Sequence, residues 1–233
     1  MEGTYCGPPP LPEAIWTSWN ADPVLLAALV AMGVVLRREP AGMGAVAILT
    51  LAFVSPLCAL SSALFSARVV HHVLLVAVAA PLLALALRPA RHGAIALPFA
   101  VSSLILWAWH HPAAYDLALA NIAIYWLMQI TLLGSAVWFW GAVFAAGGTP
   151  VERILFIVAG FSQMGMLGAL LTFAPEPLYA AHALAPFDWG LTPLQDQQLG
   201  GLLMWVPAGV PYGVAAAFLA RRHWTRLRGG AAW

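Results

Sequence analysis

The chain has 233 residues, of which 62% are hydrophobic and 8% are charged, and its formal net charge is +1. Soluble domains carry roughly 25% charged residues, so this composition excludes an ordinary soluble domain and indicates an integral membrane protein. The near-neutral charge excludes a surface built for nucleic acid or for a strongly acidic partner. The lipid bilayer is therefore the expected surroundings of most of the chain.

Seven apolar stretches predict an all-α fold, a polytopic membrane protein with a bundle of seven transmembrane helices. Each is close to the roughly 20 apolar residues that a spanning helix needs. In chain order they lie near Ile15–Leu36, Gly42–Leu64, Val69–Leu87, Gly93–Trp109, Leu117–Ala145, Val151–Phe173 and Leu199–Ala220. The predicted organisation is an extracytoplasmic segment at residues 1–14, a membrane domain at 15–220 and a basic cytoplasmic tail at 221–233.

The arginines predict the orientation of this bundle. All ten basic residues are arginines, and nine of them follow the odd-numbered stretches. The positive-inside rule makes that side cytoplasmic, which places the N-terminus outside and the C-terminus inside. The nine are Arg37, Arg38, Arg88, Arg91, Arg153, Arg221, Arg222, Arg226 and Arg228.

Most of the histidines gather at the opposite, outer face. His71 and His72 begin the third stretch, and His110 and His111 end the fourth. His182 lies in the loop between the sixth and seventh stretches. Ionisable groups within spans are functional candidates. The alternative interpretation is a set of interfacial polar residues that water or backbone carbonyls satisfy, and the sequence leaves both open.

The seventh stretch begins with a helix-start motif. Thr192 and Gln195 have the spacing of a capping box, and Pro193 suits the first helical position. Asp196 is then not needed to cap its own helix. It is expected to reach Arg68 or a histidine on the third stretch, and a structural lock and a metal or proton site are the alternatives.

The same stretch carries a face of small residues. Asp196, Gly200 and Met204 recur every four residues and therefore share one side of the helix. Glycine lets a neighbouring helix approach closely. We expect a close helix contact at Gly200.

The sulfur-containing residues are not expected to form a site. Cys6 and Cys58 form no CxxC motif, and Cys58 falls inside a predicted span, so no disulfide is expected. Met164 and Met166 lie about 200° apart around a helix, so both thioethers cannot face one copper ion. They are interpreted as packing residues.

Several motifs together resemble the CtaG family of seven-span cytochrome c oxidase assembly factors. They are HVLLVAVAAPLL, WHHPAAYDLAL, YWLMQITLLGSAVWFW, PLYAAH and DWGLTPLQDQQLGGLLMWVPAG, which lie between Ser62 and Ala220. The resemblance implies a non-enzymatic protein of the bacterial cytoplasmic (inner) membrane. It would assist copper delivery or subunit maturation of a haem–copper oxidase at the outer face, with the oxidase subunits as partners and copper as the candidate cofactor.

The resemblance also implies a set of metal ligands. His72, His110 and Asp196 fall on matching positions of the family, and His71 and His111 are further candidates. We expect His72, His110 and Asp196 to lie close together near the outer face.

Three positions depart from the family's pattern. Arg68 stands where the family's H-x-x-Q-H motif begins, and Tyr125 and Gln129 stand where a second histidine pair is often found. These three residues are therefore expected to form a structural polar cluster. Because Arg68 would repel a cation at 4 Å by about 4 kcal/mol at an effective dielectric of 20, we expect weak copper binding or none in the isolated protein.

Two other functions compete with an assembly factor. One is a permanent accessory subunit of a respiratory oxidase, whose polar cluster is purely structural. The other is a proton-coupled transporter that uses Asp196 and the histidines. A transporter needs polar groups along the cytoplasmic half of its spans as well, and the sequence offers few there, so it ranks last.

Overall fold

The computed structural model describes residues 5–87, 94–145 and 149–229, and these ranges contain helices, turns and loops but no strand. The all-α prediction is confirmed. Arg88 and Arg91 lie outside the described residues. The helices are α1 Pro23–Leu36, α2 Pro40–Phe53, α3 Pro56–Ala63, α4 Phe65–Val73, α5 Ala80–Leu87, α6 Ala96–His110, α7 Pro112–Ala120, α8 Ile122–Phe144, α9 Pro150–Phe173, α10 Pro193–Trp205 and α11 Gly209–Gly229.

The lengths of these helices fit a polytopic membrane protein. Among the described residues, four continuous helical segments are long and apolar enough to cross a membrane: Phe65–Leu87, Ile122–Phe144, Pro150–Phe173 and Pro193–Arg221. The pair α2 and α3, bent by 47°, makes a fifth if it counts as one span. Helices α1 and α6 are apolar but have only 14 and 15 residues. The count of seven spans therefore stays a prediction.

Two breaks shape the helices at the end of the bundle that carries His71 and His110. Pro56 opens α3 after the bend, where the Ser55 hydroxyl accepts from the Leu57 N–H. Leu64 is extended, with φ −117° and ψ 131°, and separates α3 from α4. The sequence predicted one span ending at Leu64 and the next beginning near Val69. The structure starts α4 directly at Phe65, so its first N–H groups need acceptors from elsewhere.

A π-helical turn, Leu74–Ala79, joins α4 to α5. Pro81 follows it and cannot donate a backbone hydrogen bond, which favours a change in the helical ladder just before it. The indole Nε1 of Trp140, on α8, donates to the Val76 carbonyl at 2.9 Å. This bond ties α8 to the middle of the span Phe65–Leu87.

Glycines let α10 approach two helices at once. A Cβ on Gly201 would lie 2.5 Å from the Gly168 carbonyl oxygen, and one on Gly200 would lie 2.6 Å from the Phe65 ring. The first contact joins α10 to α9 and the second joins it to α4. The expected close contact at Gly200 is confirmed.

The N-terminal segment folds over this histidine-bearing end of the bundle. The Tyr5 ring stacks on Tyr125 with centroids 5.1 Å apart, and it meets Trp126 edge-on at 4.8 Å. Cys6 thereby comes beside Cys58 and forms a disulfide with it, with Cα atoms 5.2 Å apart. The expectation that these cysteines stay unpaired is wrong, because Cys58 lies near the start of α3, within reach of the segment, and not deep in a span.

Candidate functional site

The carboxylate of Asp196 caps helix α4 from the neighbouring helix α10. Its Oδ2 accepts from the Phe65 N–H at 2.6 Å, and its Oδ1 accepts from the Ser66 N–H at 3.1 Å and the Ser66 hydroxyl at 2.5 Å. A negative charge at a helix N-terminus also meets the positive end of the helix dipole. The predicted lock between these two spans is present. The prediction that Arg68 or a histidine would be its partner is wrong, because the groups at the N-terminus of α4 donate to the carboxylate.

The start of α10 explains why Asp196 is available for this contact. The Thr192 hydroxyl accepts from the Gln195 N–H at 3.2 Å, and the Gln195 side chain accepts from the Thr192 N–H at 2.9 Å. The predicted capping box is confirmed. It satisfies the first turn of α10 and leaves the Asp196 side chain free to point across to α4.

Arg68 lies fully buried one turn into α4. Its Nε donates to the Ser61 carbonyl at 3.2 Å, and its Nη1 is 3.5 Å from the Tyr125 hydroxyl. The guanidinium carbon sits 5.3 Å from the centre of the Tyr125 ring, within cation–π range. Nη2 has no hydrogen-bond partner among the described residues. Arg68 is thus held by a carbonyl and an aromatic ring in place of a carboxylate.

Below Arg68 lie two more buried side chains with unsatisfied polar atoms. Gln129 follows Tyr125 by one helical turn on α8, and neither of its amide atoms makes a hydrogen bond within the described part of the chain. Both ring nitrogens of His71 are also unpaired there, and its ring meets Phe53 edge-on at 4.8 Å. Burying such groups without partners costs free energy.

Two of the predicted metal ligands, His72 on α4 and His110 on α6, bring their rings close together. Their centroids are 6.2 Å apart and their planes cross at 76°. The His110 Nδ1 is 2.8 Å from the Leu106 carbonyl, which only accepts, so Nδ1 carries the proton and Nε2 keeps its lone pair. The Nε2 of His72 has no partner among the described residues. Two imidazole nitrogens are therefore available between α4 and α6.

The remaining candidate ligands are placed differently. The His71 ring lies 5.7 Å from His72 but turns toward Phe53. His111 is exposed at the junction of α6 and α7. Asp196 is engaged with α4. Within the described ranges, no group of three or more His, Cys, Asp or Glu side chains is placed to hold one metal ion.

His182 is a site residue whose role the sequence did not indicate. Its Nδ1 donates to the Ala63 carbonyl at 3.2 Å, and its Nε2 accepts from the Tyr115 hydroxyl at 2.7 Å. Burial, together with the nearby charge of Arg68, lowers the pKa of His182 to about 4. The neutral ring thus fastens the loop between α9 and α10 to the end of α3.

The same loop positions His110. The Tyr179 hydroxyl donates to the His110 carbonyl at 3.0 Å, and its ring stacks on Phe65 at 4.5 Å. The carboxylate of Asp116 accepts from the N–H groups of Ala180 and Ala181 at 3.2 and 3.1 Å. The only sequence signals for this arrangement were the motifs WHHPAAYDLAL and PLYAAH, which show no pairing by themselves.

Comparison with known proteins gives one match. Residues 86–226, about three fifths of the chain, match the sequence model of the cytochrome c oxidase caa3 assembly factor family. The matched range contains His110, Tyr125, Gln129 and Asp196, and it begins after His72. No curated protein and no solved structure matches the chain. The chain belongs to the family of cytochrome c oxidase caa3 assembly factors, as the resemblance in its sequence predicted.

Proposed function

We propose that this assembly factor holds copper as cargo between His72 and His110 and passes it to an immature haem–copper oxidase. The single observation that carries the proposal is the pair of buried imidazoles on α4 and α6, with centroids 6.2 Å apart. The Leu106 carbonyl fixes the His110 ring so that Nε2 faces away from its own backbone bond. Imidazole nitrogens are good ligands for copper. The protein itself performs no catalysis in this proposal.

The number of ligands favours transfer over storage. Structural metal sites usually have four protein ligands, whereas this pair supplies two. Arg68 adds a repulsive charge on the same helix, one turn before His72. A cation held by two nitrogens near a guanidinium would be bound weakly. Weak binding suits an ion that must be transferred to the oxidase. The His71 ring turns toward Phe53 and His111 is exposed, so neither belongs to this pair, and Asp196 orients α4 in place of touching the metal.

We further propose that the histidine-bearing end faces the outside of the bacterial cytoplasmic membrane. The disulfide supports this orientation, because disulfides persist in oxidising compartments. Arg37 follows the end of α1 and Arg221 ends the candidate span Pro193–Arg221, at the ends opposite to Asp22 and Asp196. Residues 1–14 would then be extracytoplasmic and residues 221–233 cytoplasmic. The partners are the oxidase subunits and the surrounding lipid.

The experiment is complementation of a host strain that lacks this gene. The strain expresses the wild-type chain or one of three variants, His72→Ala, His110→Ala and His111→Ala. Immunoblotting compares the amount of each chain in the membrane. We expect the first two variants to lower the copper content and activity of the oxidase at unchanged protein level, while His111→Ala retains both. Full oxidase copper in both His72→Ala and His110→Ala would contradict the proposal. Copurification of the chain with mature, active oxidase would instead favour a permanent subunit.

A further inference from the structure

A deep groove opens on the lipid-facing side of the bundle, between α1, α2 and α8. Its volume is about 430 Å³. Buried apolar side chains form its floor, among them Leu25, Leu29 and Leu49. Val24 and Ile130, at its edges, are 76% and 64% exposed. The groove is therefore accessible from the membrane and not from the interior of the protein.

The dimensions of this α1–α8 groove fit one extended chain. It reaches along α1 from Asp22 to Met32, eleven residues that span about 15 Å of helix. That is half of the roughly 30 Å hydrocarbon thickness, the depth of one leaflet. An acyl chain that fills one leaflet therefore matches the groove in length.

One polar side chain stands in this apolar floor. Gln129 lines the groove, is 2% exposed, and has both amide atoms unpaired within the described residues. Trp126 lies one turn nearer the outer end of α8 and also lines the groove. Tryptophan marks the level of the membrane interface, where lipid ester groups lie. The Gln129 amide atoms are covered by neighbouring protein atoms, and a turn of this side chain toward the groove would bring them to an ester carbonyl at the head of an acyl chain.

The rim of the groove carries a negative charge. The Asp22 carboxylate accepts from the Tyr5 hydroxyl at 2.7 Å and from the Val24 N–H at 2.8 Å. These donors lower the pKa of Asp22, so it stays ionised at neutral pH. A fixed carboxylate attracts an ammonium group and repels an anionic headgroup.

We propose that the α1–α8 groove binds one acyl chain of an outer-leaflet phospholipid with an amine headgroup. The chain lies on Leu25, Leu29 and Leu49, the ester carbonyl accepts from Gln129, and the ammonium group faces Asp22. This site lies on the side of α8 that faces lipid and does not depend on copper binding at His72 and His110.

The test is lipid retention measured by native mass spectrometry. The full chain is reconstituted in equal amounts of phosphatidylethanolamine and phosphatidylglycerol and then extracted in mild detergent. We expect one retained phosphatidylethanolamine per protein. Ala28→Trp should lower this occupancy about tenfold, since its ring fills the path of the chain. Gln129→Met should lower it about fivefold, the effect of one net hydrogen bond. Asp22→Asn should remove the preference between the two lipids.

The matched control is Ala27→Trp, at the neighbouring exposed position that does not line the groove. Ala28 is also exposed, so neither indole displaces the core, and equal melting temperatures check that both variants fold. Equal occupancy in Ala27→Trp and Ala28→Trp would overturn the proposal, as would equal retention of the two lipids by the wild-type chain. A copurifying polypeptide that Ala28→Trp releases would overturn it in favour of a partner helix.

Discussion

The start of helix α4 and its second turn differ in whether their buried polar groups have hydrogen-bond partners. At the start, the N–H groups of Phe65 and Ser66 and the Ser66 hydroxyl all donate to the Asp196 carboxylate. One turn further on, the Nη2 of Arg68 and both ring nitrogens of His71 have no partner among the described residues. Two neighbouring turns of one helix thus contain a satisfied lock and an unsatisfied polar cluster.

The difference separates polar groups that stabilise the fold from buried polar groups that do not. An unpaired buried polar group costs about 1–3 kcal/mol, so a sequence selected for stability alone would replace it. The lock, the glycine contacts of α10 and the disulfide hold the frame. Within it, the Nη2 of Arg68, the ring nitrogens of His71 and the amide of Gln129 have no hydrogen-bond partner among the described residues. Substitutions in this cluster can therefore be compared with substitutions of the groups that stabilise the frame.

The largest expected effect comes from the disulfide. Cys58→Ser opens a loop of 52 residues between Cys6 and Cys58, which by chain entropy costs about 4 kcal/mol of unfolding free energy. Denaturant unfolding in detergent measures it. Cys6→Ser should cost the same, and the double variant should cost no more than either single one. A double variant twice as costly would show that the two thiols act separately.

The second largest loss of stability is expected from the contact between Asp196 and the N-terminus of α4. Asp196→Ala leaves the buried N–H groups of Phe65 and Ser66 without an acceptor and is expected to cost about 3 kcal/mol. Asp196→Asn keeps one acceptor oxygen and should cost less. Asp188→Asn, at an exposed acid, is the control and should change little. Thermal unfolding of the purified variants gives the comparison, and equal stability of Asp196→Ala and Asp188→Asn would remove the lock from this account.

The third effect depends on pH through His182. Its folded pKa, about 4, lies below the ordinary value of 6.5, so the unfolded chain binds a proton at a higher pH than the folded chain. Its contribution is therefore complete above about pH 7 and is lost as the pH falls through 6.5 toward 4. At pH 5 the loss is about 2 kcal/mol. His182→Gln should flatten this part of the stability profile, and an unchanged profile in that variant would contradict the assignment.

The smallest effect is expected from the unsatisfied cluster itself. Gln129→Leu and His71→Phe replace unpaired polar groups by apolar groups of similar size, so the unfolding free energy should change by less than about 1 kcal/mol or rise. The same thermal unfolding assay measures both. A loss as large as that of Asp196→Ala would show that these groups have partners that stabilise the fold.

Local patterns predicted the helices well because they depend on neighbours in the sequence. The apolar stretches, the capping box at Thr192 and the close contact at Gly200 all follow from spacing along one helix. Met164 is 1% exposed and Met166 is 50% exposed, as their predicted opposite orientation requires. The break at Leu64 carries no proline or glycine, so the chain gives no local sign of it.

Contacts between distant segments could not be predicted in the same way. The partner of Asp196 is the backbone of α4, which becomes available only because Leu64 interrupts the helix. The disulfide joins segments that are far apart in the chain, beside the place where Tyr5 packs on Tyr125. For the same reason the pairing of His72 with His110 could be expected from a shared outer face, whereas the orientation of His71 toward Phe53 could not.

Titration of the purified protein with Cu(I) against a competing chelator tests the central claim most directly. The account predicts one copper ion per chain, held loosely enough for the chelator to remove it. His72→Ala and His110→Ala should each abolish this binding, whereas His111→Ala and Asp196→Asn should keep it. Melting temperatures of the same samples check that each variant is folded. Copper binding that survives in His72→Ala, or that is lost only in Asp196→Asn, would contradict the account.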